Sequence, residues 1–361
     1  MSNFVAEMEK CHPYLEFLRY CLDDNTPLPS STANIEWTEL YDFAVKQTAE
    51  ATFWHGIQRM DRENGVKLSD VQVLAWMARR EKIARRNKMV NEKVVWVWNN
   101  FRREGFRSCL LKGQGNGLFY PEPLMRTSGD IDIWVEGGDK KVIAYVDSIQ
   151  PGFKRVYHHI EFRKAGKVGV EVHYRPSWSS NPIYNRRLQR WFESHADACF
   201  SNKSEALRCC VPTDEFNQVY LLSHLYCHLI REGVGLRHII DYYHLLKKST
   251  SHVTPDTISH LGLGKVAGAV MWVMEEILGL DKAFLIYQPN PKLGRLLLRE
   301  IMRGGNFGKY DDRLLSGETK SQPKHNLQVL VRDVRLVRYF PEECLWEPWF
   351  RLWHYFWRIR H

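Results

Sequence analysis

The strongest constraint on this chain is a change of hydrophobic period near its middle. From Asp70 to Gly105 apolar residues recur at three- and four-residue steps, the spacing of one helix face, and Gly105 offers a stop. From Phe106 the pattern shortens. FRSCLLKG (Phe106 to Gly113) reads as a buried strand ending in glycine, and DIDIWV (Asp130 to Val135) alternates as a strand does. GGDKKVIAYVDSIQPG (Gly137 to Gly152) reads as a helix between a glycine turn and a proline. KRVYHHIEFRKAGKVGVEVHYRP (Lys154 to Pro176) reads as two alternating strands joined at Lys164–Lys167, with Gly166 in the turn. From about Pro212 the helical period resumes in DEFNQVYLLSHLYCHLIREG and GLRHIIDYYHLLKK, broken at Gly233–Gly235. The class is therefore α+β. Because 361 residues exceed one core of typical size, we expect a helical region over residues 1–104, an α+β core over 105–204 and a helical domain over 205–361. Within the first region, DDNTPLPSSTAN (Asp23 to Asn34) is turn-rich and SSTANIEWTEL offers a capped helix start.

Composition narrows the functional classes. Hydrophobic residues make up 44% and aromatics 13%, which suits a packed globule and not a disordered chain. A formal charge of +9 favours anionic partners, whether nucleotides, nucleic acid, an acidic acceptor or a membrane surface, and selects none of them. Basic stretches such as ARREKIARRNK read as solvated helix faces. No run of about 18 uncharged apolar residues is present, so no transmembrane segment is expected. MSNFVAEMEKCHPYLEF lacks the basic-then-apolar order of a secretory signal. Eight cysteines without a Cys-x-x-Cys pair point to reduced thiols and a cytoplasmic location.

The chemistry concentrates in RTSGDIDIWV (Arg126 to Val135). Residues i and i+2 of a strand share a face, so Asp130 and Asp132 project side by side while Ile131, Ile133 and Val135 face the other way. Two unit charges near 4 Å repel by roughly 4 kcal/mol at a surface-like dielectric. A cation offsets that, and carboxylate oxygens suit Mg²⁺, which keeps open positions for water and phosphate. The plain alternative is an exposed strand edge. In LKGQGNG, Lys112, Gly113 and Gly115 end a strand where exposed backbone N–H groups can hold phosphate oxygens, or simply make a strand-to-helix turn. VEVHYRP places Glu171 and His173 on one strand face; a third carboxylate beside the pair would complete a site for two ions about 3.5–4 Å apart. Arg126 and Ser128 precede the pair, and Arg126 can meet phosphate in a bidentate way or pair with one of the carboxylates.

Taken together these residues resemble the nucleotidyltransferase superfamily with the DNA polymerase β-like catalytic fold. The matching segments are Leu111-Lys112-Gly113-Gln114, Asp130-Ile131-Asp132 and Val170-Glu171-Val172. LLKGQGNGLFYPEPLMRTSGDIDIWV and VEVHYR are most similar to a bacterial, uncharacterised nucleotidyltransferase-like subgroup. SHLYCHLIREGVGLRHIIDYYHLL is similar to the helical region that follows its catalytic unit. The resemblance implies a small mixed-sheet core flanked by helices. It implies Mg²⁺ (or Mn²⁺) on Asp130, Asp132 and Glu171, an NTP (ATP the expected one) as substrate, and a hydroxyl-bearing acceptor: small molecule, protein or RNA. Glu171 would help bind the second ion or act as general base, and Lys112, Gly113, Gln114, Arg126 and Ser128 would line the phosphate side. Gln114 stands where the superfamily has Gly or Ser, which keeps open a catalytically inactive relative that only binds nucleotide or nucleic acid.

Four other features complete the reading. His224 and His228, four apart on a helix, read as core packing or a metal pair. Arg237 and Asp241 stand at ion-pair spacing. HHIEFRK (His158 to Lys164) reads as a polar hairpin face. In WEPWFRLWHYFWRIRH, Pro348 suits a first helical turn, and Trp349, Phe350, Trp353 and Trp357 are expected on one side, docked on the protein's own core or facing a membrane or nucleic acid.

Overall fold

Ser69 opens the longest helix. Its hydroxyl accepts from the Gln72 backbone N–H, while the Ser69 N–H donates to the Gln72 side chain, a reciprocal cap. The helix runs Asp70–Arg103, and Gly105, at φ 79°, follows its end. In this computed structural model, residues 2–63, 67–163, 166, 168–313 and 322–360 are described. The N-terminal region folds as helices Ser2–Leu22, Trp37–Gln47 and Glu50–Arg62 before the long one. The cap expected in SSTANIEWTEL is absent. Ser30–Asn34 winds into a 3₁₀ turn, and Glu36 precedes the helix with no side-chain cap bond.

Four strands follow: β1 (Ser108–Leu110), β2 (Ile131–Val135), β3 (His159–Glu161) and β4 (Val170–His173). They form one mixed sheet in the order β1-β2-β4-β3. β1 is antiparallel to β2, β2 is parallel to β4, and β3 is antiparallel to β4. The parallel pair is reached through the helix Gly138–Ile149. The hairpin of β3 and β4 is as expected, and Gly166 sits at φ 77°; Lys164, Ala165 and Lys167 lie outside the described residues.

Alternation gives this sheet two different faces. Ile131, Ile133, Val135, Val170, Val172 and Ile160 pack with Val90, Val94, Val97 and Phe101 of the long helix and with Val142 and Val146. The opposite face of β2 carries Asp132 and Trp134. Trp134 stacks on Phe216 at 5.4 Å, under the helix Asp214–Arg231. β2 is therefore buried along its whole length, and Asp132 is 1% exposed. The exposed-edge alternative for this strand falls, because β2 lies between β1 and β4.

A short antiparallel pair, β5 (Lys203–Ser204) and β6 (Cys209–Cys210), precedes the C-terminal helices, among them Asp214–Arg231 and Leu236–Lys248. The largest core cluster joins Phe17, Leu40 and Phe53 of the N-terminal helices to Cys109, Leu111 and Trp134 of the sheet, and to Leu222, Ile239 and Val270 beyond it. All eight cysteines are buried as thiols. Among the described residues no helix is long and apolar enough to cross a membrane.

The last helix, Glu347–Arg360, carries Pro348 in its first turn. Phe350, Trp353 and Trp357 surround Tyr157, and Trp357 is buried. Trp349 does not join them and is 66% exposed. Around the helix Phe350 to Trp353 spans about 60°, and Trp349 lies about 40° beyond Trp353, at the outer edge of that stripe.

Candidate active site

The site grows from the end of β1. The Leu111 N–H donates to the Asp132 carbonyl at 2.9 Å, which carries the β1–β2 pairing one residue further. The chain then turns at Gly113, whose φ of 64° and ψ of −110° only glycine adopts without strain. A Cβ there would meet the Asp130 carbonyl oxygen at 3.4 Å. That is ordinary contact, so it is the backbone conformation and not a lack of space that calls for glycine here.

Lys112 projects over Asp132. Its Nζ lies 3.2 Å from Asp132 Oδ1 and 3.0 Å from His224 Nε2. Burial opposes the ammonium charge, but Asp132, Asp130 and Glu171 outweigh it and raise the Lys112 pKa.

Parallel pairing sets Asp132 opposite Glu171 on the neighbouring strand. His173 Nε2 lies 3.0 Å from Asp132 Oδ1 and 3.5 Å from Glu171 Oε2. One ligand atom from each of Asp132, Glu171 and His173 lies within 4.8 Å of the other two. Burial disfavours the Glu171 charge, yet the hydrogen bond from His173 and the charges of His159, His173 and Lys112 hold its pKa at about 2. Burial likewise works against a charged His173, but bonds to Asp132 and Glu171 raise it to about 9. Asp132 Oδ2 is buried with no partner. A carboxylate oxygen taken out of water without a compensating donor costs on the order of 1–3 kcal/mol or more. A divalent cation is the group that such an oxygen, flanked by a second carboxylate, fits.

Asp130 is half-buried and borders two cavities. The smaller, about 80 Å³, is walled by Lys112, Gly113, Arg126, Asp132 and Arg237 among others. The larger, about 590 Å³, contains Glu171 and His173. Lys112, Asp130, His224 and Phe307 stand between them, lining both. Asp132 and Glu171 thus meet at one end of the sheet with His173, whereas Asp130 lines the same cavities but belongs to neither group of close ligand atoms found among the described residues.

The phosphate-side residues divide. Lys112, Gly113 and Arg126 line the smaller cavity. Arg126 makes the ion pair foreseen as an alternative, but with a different carboxylate. Its Nε and Nη2 donate to Asp241 at 2.7 and 2.6 Å, and Tyr120 donates to the same carboxylate at 2.7 Å. Arg126 Nη1 remains buried without a partner, as does Arg237 Nε. The Arg237–Asp241 pair expected from spacing is thereby displaced. Arg237 instead donates to the Thr127 carbonyl at 3.3 Å.

Gln114 requires a correction. Its amide is 7% exposed and donates to Asn87 Oδ1 at 3.0 Å and Asn91 Oδ1 at 2.7 Å on the long helix. A primary amide bound this way braces two elements and does not line either cavity. Ser128 is also buried, its hydroxyl unpaired, and borders neither cavity.

Two histidine groups line the larger cavity. His224 and His228 pack as expected, His224 stacked on Tyr220 at 5.8 Å and His228 against Phe307 at 5.0 Å, and they belong to no three-ligand metal group among the described residues. They border the larger cavity, with His224 Nε2 shared between Lys112 and His228. His158 and His159 turn into that cavity too, where His158 stacks on Trp178. A signal for the second pair existed: antiparallel pairing of VYHHIEF with VEVHY sets His159 opposite His173. Nothing local announced Asp241, which meets Arg126 from 115 residues away.

Residues 33–279 match the family model described as "Uncharacterised nucleotidyltransferase". No curated protein and no solved structure matched in the corresponding comparisons. The family match takes in the sheet, the Lys112–Gly113 turn, all three carboxylates and the helix that supplies Asp241. It covers most of the chain, and the chain belongs to this uncharacterised nucleotidyltransferase family.

Proposed function

We propose that this protein transfers a nucleoside monophosphate from an NTP, ATP the expected one, to a hydroxyl-bearing acceptor and releases pyrophosphate. The observation that carries the reading is Asp132. It is a buried carboxylate with one unpartnered oxygen, paired in register with Glu171 and followed across the cavity rim by Asp130. Asp130, Asp132 and Glu171 would hold Mg²⁺ or Mn²⁺, which when bound neutralises phosphate charge and supplies a Lewis acid.

The chain's own residues supply the rest. Lys112 and the free Nη1 of Arg126 and Nε of Arg237 offer donors in the smaller cavity, which suits triphosphate oxygens. The acceptor approaches from the larger cavity. Its hydroxyl oxygen bonds to the α-phosphorus as the bond to the β-phosphate oxygen breaks, and pyrophosphate leaves with that electron pair. A Glu171 carboxylate held near pKa 2 is a weak base, so its part is charge neutralisation and the hydroxyl proton passes to water. Eight buried thiols fit a reducing, cytoplasmic setting.

The test is incubation with labelled NTPs, Mg²⁺ or Mn²⁺ and cell lysate. Label transfer with pyrophosphate release is expected, lost in Asp130→Ala and Asp132→Asn. If no NTP releases pyrophosphate, and neither NTP nor Mg²⁺ shifts the melting temperature, the reading is wrong. The engagement of Gln114 by Asn87 and Asn91 favours a second reading, a fold that binds nucleotide without transfer. Measurable NTP affinity with no pyrophosphate from any acceptor pool would establish that one.

A further inference from the structure

The larger cavity holds a group of side chains that the transfer reading leaves unused. His158 and His159 come from the start of β3 and His173 from the end of β4, and antiparallel pairing brings the strand ends together. One ring nitrogen from each of the three lies within 4.8 Å of the others. His158 and His173 ring centres are 5.3 Å apart, and those of His159 and His173 are 5.2 Å apart. All three border the same open volume as Glu171.

His158 Nε2 lies 2.9 Å from His159 Nδ1, and that same Nδ1 lies 3.2 Å from Glu171 Oε2. Without an ion, the one His159 N–H serves one of these contacts, donating to the His158 lone pair while Glu171 accepts from His173, or donating to Glu171. A positive ion engages all three atoms at once, because each then presents a lone pair to it. The spacing is near that of a tetrahedral ion, whose ligand atoms about 2.0–2.1 Å away lie about 3.3 Å from one another.

The rings are also fixed. His158 stacks on Trp178 at 4.0 Å and 25°. Metal binding would displace the proton that Asp132 and Glu171 favour on His173, since only a ring nitrogen with a free lone pair ligates. His173 Nδ1 lies 3.3 Å from the Arg175 carbonyl, the second bond by which ligating imidazoles are commonly oriented.

We propose that His158, His159 and His173, with Glu171, form a transition-metal site beside the carboxylate site and share Glu171 with it. Three imidazoles select a zinc-class ion over Mg²⁺, which prefers oxygen donors. The site faces the larger cavity and not the arginine-lined one. It does not depend on the transferase reading.

The experiment uses the tag-free full-length chain, stripped with chelator and titrated with Co²⁺ without nucleotide. One equivalent should bind and develop a visible Co²⁺ absorption band. His159→Gln and His158→Phe, the latter keeping a ring for Trp178, should each weaken uptake at least about ten-fold. X-ray absorption of the Zn²⁺-loaded wild type should show two to three nitrogen ligands, a readout independent of any variant's folding. No Co²⁺ or Zn²⁺ uptake, an oxygen-only shell, or undiminished uptake in the folded double variant would overturn the proposal. Pyrophosphate release with Mg²⁺ in a protein that takes up no Co²⁺ would leave the transferase reading standing and remove only this one. Co²⁺ bound on nitrogen without pyrophosphate release from any NTP would do the reverse.

Discussion

Asp241→Asn removes one charge from a pair that holds the sheet unit to the helices after it. Arg126 is 6% and Asp241 5% exposed, and they meet through two hydrogen bonds of 2.7 and 2.6 Å. Tyr120 adds a third at 2.7 Å. With asparagine in place, Arg126 keeps its charge in the interior opposite a neutral amide. Removing one partner of a buried pair typically costs about 3–5 kcal/mol, mainly because the other charge stays buried uncompensated. At about 2 °C per kcal/mol for a chain of this size, the midpoint should fall by roughly 6–10 °C. Urea unfolding followed by tryptophan fluorescence and thermal melts measure both quantities. The double change Arg126→Leu with Asp241→Leu, which buries no charge, should lie closer to wild type than Asp241→Asn alone. The same substitution frees the Arg126 head from its clamp, so NTP affinity should drop about 10-fold or more, the value of one charge-assisted bond. A loss under about 1 kcal/mol in Asp241→Asn, or a double variant worse than the single, would refute the argument. It would mean that water reaches the pair and already screens it.

Three further outcomes follow from other parts of the molecule. Asp333 is buried with one oxygen unpaired, and burial with the nearby Glu347 charge raises its pKa to about 7, against about 3.9 for an exposed aspartate. The folded form then holds a proton that the unfolded chain has lost, so stability falls between about pH 4 and 7 and stays lower above. Asp333→Asn should stabilise at pH 8, by up to about 4 kcal/mol, and change little at pH 4; melts showing no greater benefit at pH 8 would contradict this. Gly113→Ala places a Cβ at φ 64°, so it should cost about 1–3 kcal/mol and depress pyrophosphate release more than stability alone explains, measured at a temperature where both proteins are folded. Trp357→Ala should cost about 3 kcal/mol through the lost packing on Tyr157, whereas Trp349→Ser should stay within about 0.5 kcal/mol; equal effects in urea would show that the last helix docks differently.

What could be read from the sequence was what a strand or helix period encodes locally. Alternation in DIDIWV and VEVHY put Asp132 and Glu171 on faces that pairing then brought into register. The reading of Arg126 went only half way for a physical reason. An arginine before two aspartates has an evident local partner, and nothing in that stretch reports a carboxylate on a helix 115 residues further on. Asp241 wins because it is as deeply buried as the guanidinium and presents both oxygens to it, while Asp132 already faces Lys112 and His173. Gln114 failed in a related way. A glutamine at a glycine turn looks free to meet a ligand, but Asn87 and Asn91, four apart on the long helix, offer two acceptors to one amide nitrogen. The three-step spacing that marks that helix as amphipathic cannot show which buried asparagines need donors from another element. The histidines behave alike: each reads as ordinary in its own strand or helix, and only the hairpin register and the packing of Asp214–Arg231 over β2 turn five of them into one cavity wall. Residues placed by the alternation of their own strand, Glu171 among them, were therefore visible in advance, and residues whose partner comes from a helix far along the chain were not.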